Sequence, residues 1–150
     1  MLLADEMRAR GVQFDVEKVL RIALMHDWAE VRVGDMPRTA TKYFGAGARR
    51  TAERAAFDDI VTNCGDHARK HYADLHEDYE QRASIEARVV KAADVIDLLL
   101  QTLAFERAGA RGLDEFWEGV GELDLRLEGV ALKVVEEVFE QLAASRRELK

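Results

Sequence analysis

Ser84-IEARVVKAADVIDLLLQTLAFERA-Gly109 is the stretch that decides the fold class. Val89, Val90, Ala93, Ile96, Leu99, Leu100 and Leu103 recur at intervals of three and four, which gathers them on one face of a helix and excludes the alternation of a strand. Ser84 offers an N-cap oxygen at one end, and Gly109 a residue free to turn at the other. Asp94 stands inside this apolar helix. A carboxylate on such a face needs a cation or strong donors, supplied either by Lys91 or an arginine in a structural pair or by a metal shared with residues elsewhere in the chain.

Outward from that helix the same period repeats. Residues 1 to 10 read as a helix stopped by Gly11. A second starts with Asp15 as N-cap and runs to about Gly34, turning Val16, Val19, Leu20, Ala23 and Leu24 inward. Residues 35 to 47 read as a loop, 49 to 61 as a third helix and 66 to 80 as a fourth, both polar enough to be surface elements. Beyond Gly109, Asp114 caps a short helix holding Phe116 and Trp117. A last helix, from about Asp124 to Leu149, presents Val130, Val134, Val135, Val138, Phe139 and Leu142 as a packing face or dimer seam. Pro37 and ten glycines, Gly121 among them, fall mostly between segments. The expectation is an all-α fold in one domain, residues 1–150.

A chain of 150 residues that is 48% hydrophobic can bury a core without staples. The single cysteine, Cys64, permits no internal disulfide, and Met1-Leu2-Leu3-Ala4 runs straight into Asp5 and Glu6 where a secretory signal would continue apolar. A cytoplasmic location is expected. The most apolar run, residues 95–100, is interrupted by Asp97 and is far too short for a membrane span. A net charge of −7 argues against a long nucleic acid as partner. It leaves a small phosphorylated substrate open, because one divalent cation and one or two basic groups reverse the field inside a pocket.

Chemistry concentrates in HDWAEVRVGDMP, residues 26–37. On a continuous helix His26 and Glu30 would be i,i+4 neighbours and Asp27 and Glu30 i,i+3 neighbours, so one patch could hold both a metal ligand and a proton-transfer group. Imidazole nitrogen with carboxylate oxygen suits Mn²⁺, Co²⁺, Fe²⁺ or Zn²⁺, and less well Mg²⁺; a lone cysteine excludes a thiolate site. His67 and His71 imitate a zinc pair with His76 nearby, but their helix is crowded with charge and they read as solvated. Trp28 and Trp117 read as core or interface aromatics.

Taken with Asp94 in VVKAAD, residues 89–94, the extended string resembles the HD-domain metal-dependent phosphohydrolases, in particular the bacterial 5'-deoxynucleotidase branch and its eukaryotic relatives. The doublet is His26-Asp27, the distal aspartate is Asp94, and Glu30, Gly34, Asp35 and Pro37 match the continuation H-D-x-x-E-x-x-x-G-D-x-P. Lys42-Tyr43-Phe44 also resembles the bacterial branch. The resemblance implies a helical HD fold, a homodimer, and one divalent metal, Mn²⁺ or Co²⁺ before Mg²⁺, Fe²⁺ or Zn²⁺, held by His26, Asp27 and Asp94. It further implies hydrolysis of deoxyribonucleoside 5'-monophosphates, with Glu30 acting on the attacking water and Asp35 on the sugar; Lys42, a loop lysine, reads either as a phosphate contact or as solvated. The family's first histidine precedes the doublet, and none precedes His26 here. The expectation is therefore a chain lacking the family's N-terminal segment, in keeping with a first helix that starts uncapped at Met1. That absence keeps two alternatives in view: a non-catalytic dimerising or nucleotide-sensing module, and a hydrolase of another phosphate ester such as a cyclic nucleotide or alarmone.

Overall fold

The computed structural model describes residues 1–120 and 123–149, which form helices and turns and no strand; Gly121 lies outside the described residues. The all-α expectation holds. The helices are α1 (Leu2–Ala9), α2 (Val16–Met25), α3 (Glu30–Val33), α4 (Arg38–Phe44), α5 (Ala46–Val61), α6 (Asp66–Gln81), α7 (Ile85–Arg107), α8 (Asp114–Glu118) and α9 (Gly129–Arg147). Contacts divide the chain into two compact units, Met1–Leu20 with Arg82–Lys150, and Arg21–Gln81, so one boundary falls inside α2.

In the first unit α7 packs on α9 and α8, and α1 packs on both α7 and α9. The Ser84 hydroxyl accepts from the Ala87 backbone N–H at 3.2 Å, the expected N-cap, and Gly109 ends the helix region at φ +101°. Leu99, Leu103 and Leu142 form the buried centre, with Ile96, Trp117, Val120, Val138 and Phe139 against it. The buried face of α7 is rotated from the one expected. It runs through Ala87, Val89, Val90, Ala92, Val95, Leu99, Thr102 and Leu103, while Leu100 is exposed. Three consecutive leucines cannot share a 100° stripe, and Leu99 takes the inward position. The last helix begins at Gly129 rather than near Asp124. Arg88 explains the delay: its guanidinium donates to the carbonyls of Arg82, Ala83 and Arg126, which holds the preceding segment extended against the start of α7. Arg146 forks onto Glu106 at 2.8–3.1 Å and lies 4.8 Å above the Trp117 ring.

In the second unit α3 and α4 pack on α5, and α5 packs on α6. Helices α5 and α6 were expected at the surface, yet they bury Glu53, Ala56, Phe57, Val61, Leu75, His76 and Tyr79. With few aliphatic residues available, this core is aromatic: Phe57 stacks on Trp28 at 6.2 Å and on His76 at 4.1 Å. Exposed ion pairs, Arg32 with Asp59 and Arg54 with Glu77, tie α3 and α6 to α5 and add little stability each. Two further expectations change here. The helix expected to reach Gly34 ends at Met25 and resumes as α3, and the loop expected over 35–47 contains α4. On α2 the buried positions are Val19, Ile22 and Met25, with Ala29 beyond the helix end, and Leu24 is left exposed.

Candidate functional site

Helix α2 stops where the chemistry begins. The His26 N–H still donates to the Ile22 carbonyl at 2.9 Å, an α-helical bond, but the next bonds span three residues: Trp28 to Met25 at 3.1 Å and Glu30 to Asp27 at 3.0 Å. The tightened turn replaces the helical register expected for residues 26–30. It draws the His26 and Asp27 side chains together, with His26 Nε2 3.0 Å from Asp27 Oδ2. On the other side of the ring, Nδ1 lies 2.9 Å from the Ala23 carbonyl, which can only accept, so Nδ1 carries the hydrogen. Tyr79 meets the ring edge-on at 5.3 Å, completing its fixation.

This arrangement fits a divalent cation. A backbone carbonyl on Nδ1–H sets the tautomer that leaves Nε2 as a lone-pair donor, the usual support of a metal-ligating histidine. Nε2 and Asp27 Oδ2 then face each other as two acceptors, which calls for a proton or a cation between them. Two ligands each about 2.1 Å from one ion, at right angles, stand roughly 3 Å apart. The donor pair is one imidazole nitrogen and one carboxylate oxygen, a borderline-to-hard set.

Glu30 opens α3, one turn from the pair. Burial raises its carboxyl above the ordinary range, the charges of Asp27 and Asp35 raise it further, and His26 and Arg49 pull it back less strongly. Asp35 follows Gly34, whose φ of +75° turns the chain out of α3, and is exposed; Lys42 is exposed on α4. Asp94 belongs to the first unit, on α7, where it is half-buried and its Oδ2 lies 2.7 Å from Lys91 Nζ. That is the structural pairing the sequence left open beside the metal. Among the described residues no group of three or more His, Cys, Asp or Glu side chains is assembled for an ion.

Three residues were missed by sequence reasoning. His76 was grouped with the solvated histidines; His67 and His71 are indeed exposed, but His76 is buried against Phe57, and that burial lowers its pKa despite the nearby charge of Glu53. Glu53 is a buried carboxylate, and Arg49 Nε donates to its Oε1 at 2.6 Å. The spacing of Leu75, His76 and Tyr79 was the available signal for the first, since one helical face holds all three. The i,i+4 pair Arg49 and Glu53 on α5 was the signal for the others.

A family model described as "HD domain" matches residues 1–118. The chain is 30% identical over 95 residues to a 5'-deoxynucleotidase of Xenopus laevis, an alignment covering 63% of this chain and 46% of that protein. It is 29% identical over 127 residues to a 5'-deoxynucleotidase of Saccharomyces cerevisiae, covering 82% and 56%. A 5'-deoxynucleotidase of Citrobacter koseri is 32% identical over 111 residues, covering 72% and 55%. The chain thus spans about half the length of the curated relatives it matches. Among solved structures, a conserved hypothetical protein from Pyrococcus furiosus superposes with a TM-score of 0.78 at 34% identity, over 95% of this chain and 75% of that one.

Proposed function

This chain belongs to the HD-domain family, and on that premise we propose that it is a metal-dependent phosphomonoesterase that hydrolyses deoxyribonucleoside 5'-monophosphates to deoxynucleoside and phosphate. The observation that carries the reading is the coexistence, within one turn, of the His26–Asp27 donor pair and a Glu30 carboxyl raised by burial and by its acidic neighbours. The similarity to three 5'-deoxynucleotidases supports the substrate.

His26 Nε2 and Asp27 Oδ2 would hold the cation, Mn²⁺ or Co²⁺ by the donor set and the resemblance, and the resemblance assigns Asp94 to the same donor set. When bound, such an ion supplies positive charge against a phosphoryl oxygen and lowers the pKa of water. Glu30 accepts the proton of the attacking water; its raised carboxyl holds a proton more readily than an ordinary glutamate. Asp35 accepts from a sugar hydroxyl, and Lys42 adds a mobile charge for the phosphate. The reading extends to a homodimer as the working state.

The test is phosphate release from deoxynucleoside monophosphates, ribonucleoside monophosphates, a cyclic nucleotide and an alarmone, with added Mn²⁺ or Co²⁺. Preference for the deoxynucleoside monophosphates is expected, with loss of Mn²⁺ binding by calorimetry in Asp27→Ala and Asp94→Ala. Metal-dependent turnover of another ester in its place would reassign the substrate. Unchanged affinity in Asp94→Ala would leave Asp94 as the structural partner of Lys91.

A further inference from the structure

Residues 38–54 carry five basic side chains, Arg38, Lys42, Arg49, Arg50 and Arg54, against one acid, Glu53, in a chain whose net charge is −7. This basic stretch follows directly on the acidic residues 27–35, as a site for an anionic ester requires. Its members are differently placed. Lys42 and Arg50 are exposed, and Arg54 is committed to Glu77 on α6. Arg49 is braced from inside: Glu53, one helical turn on and buried, accepts from Nε at 2.6 Å.

That brace leaves the other edge of the guanidinium. Glu53 engages Nε, while Nη1 and Nη2, with four N–H donors, meet no acceptor among the described residues. The side chain remains 39% exposed, so the fork is reachable from solvent. Burial acts to lower the Arg49 pKa, but the hydrogen bond and charge of Glu53, then the charges of Glu80 and Asp35, more than offset it and raise it. Its charge reaches Glu30 in turn. The charges of carboxylates on α3, the turn after α3, α5 and α6 therefore act on one arginine, all within the second unit.

Resting on the phosphomonoesterase reading, we infer that Arg49, held by Glu53, takes the phosphate of the substrate beside Glu30. A planar fork anchored at Nε presents two parallel N–H groups at the geometry of two phosphate oxygens, whereas a lysine there would act as a point charge. Glu53 is a positioning residue: it fixes the plane of the fork and removes the entropy a free arginine would lose on binding.

The experiment is calorimetric titration of the full chain with inorganic phosphate and, separately, with a deoxynucleoside that lacks phosphate. Arg49→Lys keeps a cation for Glu53 and is expected to fold, with phosphate affinity weakened by about tenfold and deoxynucleoside affinity unchanged. Arg49→Ala should weaken phosphate further. In turnover assays the Arg49→Lys effect should fall on KM more than on kcat. Phosphate affinity unchanged in Arg49→Lys and Arg49→Ala overturns the assignment, as does a parallel loss of phosphate and deoxynucleoside affinity, which a merely structural role would produce. Failure of the unaltered chain to bind phosphate also overturns it. Arg49-dependent phosphate binding without hydrolysis of deoxynucleoside monophosphates would overturn the substrate reading and leave this assignment standing.

Discussion

Helices α7 and α6 are both long, but α7 turns a row of aliphatic residues inward from Ala87 to Leu103, whereas α6 buries Leu75, His76 and Tyr79 and leaves its remaining positions charged or partly exposed. The contrast extends to their units. The first packs leucine and valine around Leu99, Leu103 and Leu142, with Arg88 spent on carbonyls and Arg146 on carboxylates. The second packs Trp28, Phe57, Tyr72, His76 and Tyr79 and keeps Glu53 buried on Arg49. Aliphatic side chains offer a polar neighbour no directional contact, whereas aromatic rings can back a histidine with preferred geometry. The second unit trades aliphatic burial for the placement of polar groups.

Phe57 is the place to break that contrast. Its ring backs both Trp28 and His76, so Phe57→Ala should cost about 3–5 kcal/mol and weaken phosphate binding at temperatures where the chain is still folded. Leu99→Ala, in the first unit, should cost a similar order, about 2–5 kcal/mol, yet leave phosphate affinity unchanged under the same condition. Chemical denaturation and calorimetry on the two variants check this. Equal losses of affinity would mean that the second unit's aromatic core has no special bond to the site.

Glu30 sharpens the contrast from the other side. Burial and the charges of Asp27 and Asp35 disfavour its anion, so Glu30→Gln should hold or raise the thermal midpoint at neutral pH. On the proposal that the Glu30 carboxylate acts on water, the same change should lower kcat by about 10²-fold or more while Mn²⁺ affinity stays nearly intact. Loss of metal and turnover together would make Glu30 a ligand. A falling midpoint would make it a structural acid.

The sequence made the first unit legible because its helices obey one rule: apolar residues at helical spacing, closed by Ser84 and Gly109. Where the phase slipped, as at Leu100, a run of like residues had given the period no contrast. The second unit obeys no such rule. His26, Asp27, Glu30 and Asp35 were readable as a string with known chemistry, but the turn at 26–29 was not, since Trp28 and Ala29 are as compatible with a helix as with its interruption. Helix α4 was hidden between Pro37 and Gly45 in a segment too short and polar to show a period. Arg49, Glu53 and His76 left only weak signals, a helical face and an i,i+4 pair, because what buries Glu53 and His76 is the packing of α5 on α6, which their spacing alone does not reveal.

His76 supplies the smallest expected effect and the finest test of an aromatic core that holds a titratable group. Burial lowers its pKa; Glu53, Glu77 and Asp58 act to raise it and Arg54 to lower it, and burial prevails. The folded state therefore binds the proton less readily than the unfolded chain, whose histidine titrates near about 6.5. The stability contributed by neutral His76 is fully present above that pH and is lost as pH falls below it toward the lower folded value. His76→Phe keeps a ring stacked on Phe57 and removes the proton site, so its thermal midpoint should fall less between pH 7.5 and pH 5 than that of the unaltered chain. Because the two proteins differ only at this position, the difference between the two curves, followed by circular dichroism, isolates residue 76. Parallel curves would mean that water or Glu53 accommodates the imidazolium, and the second unit would then tolerate charge in its core as well as along its site.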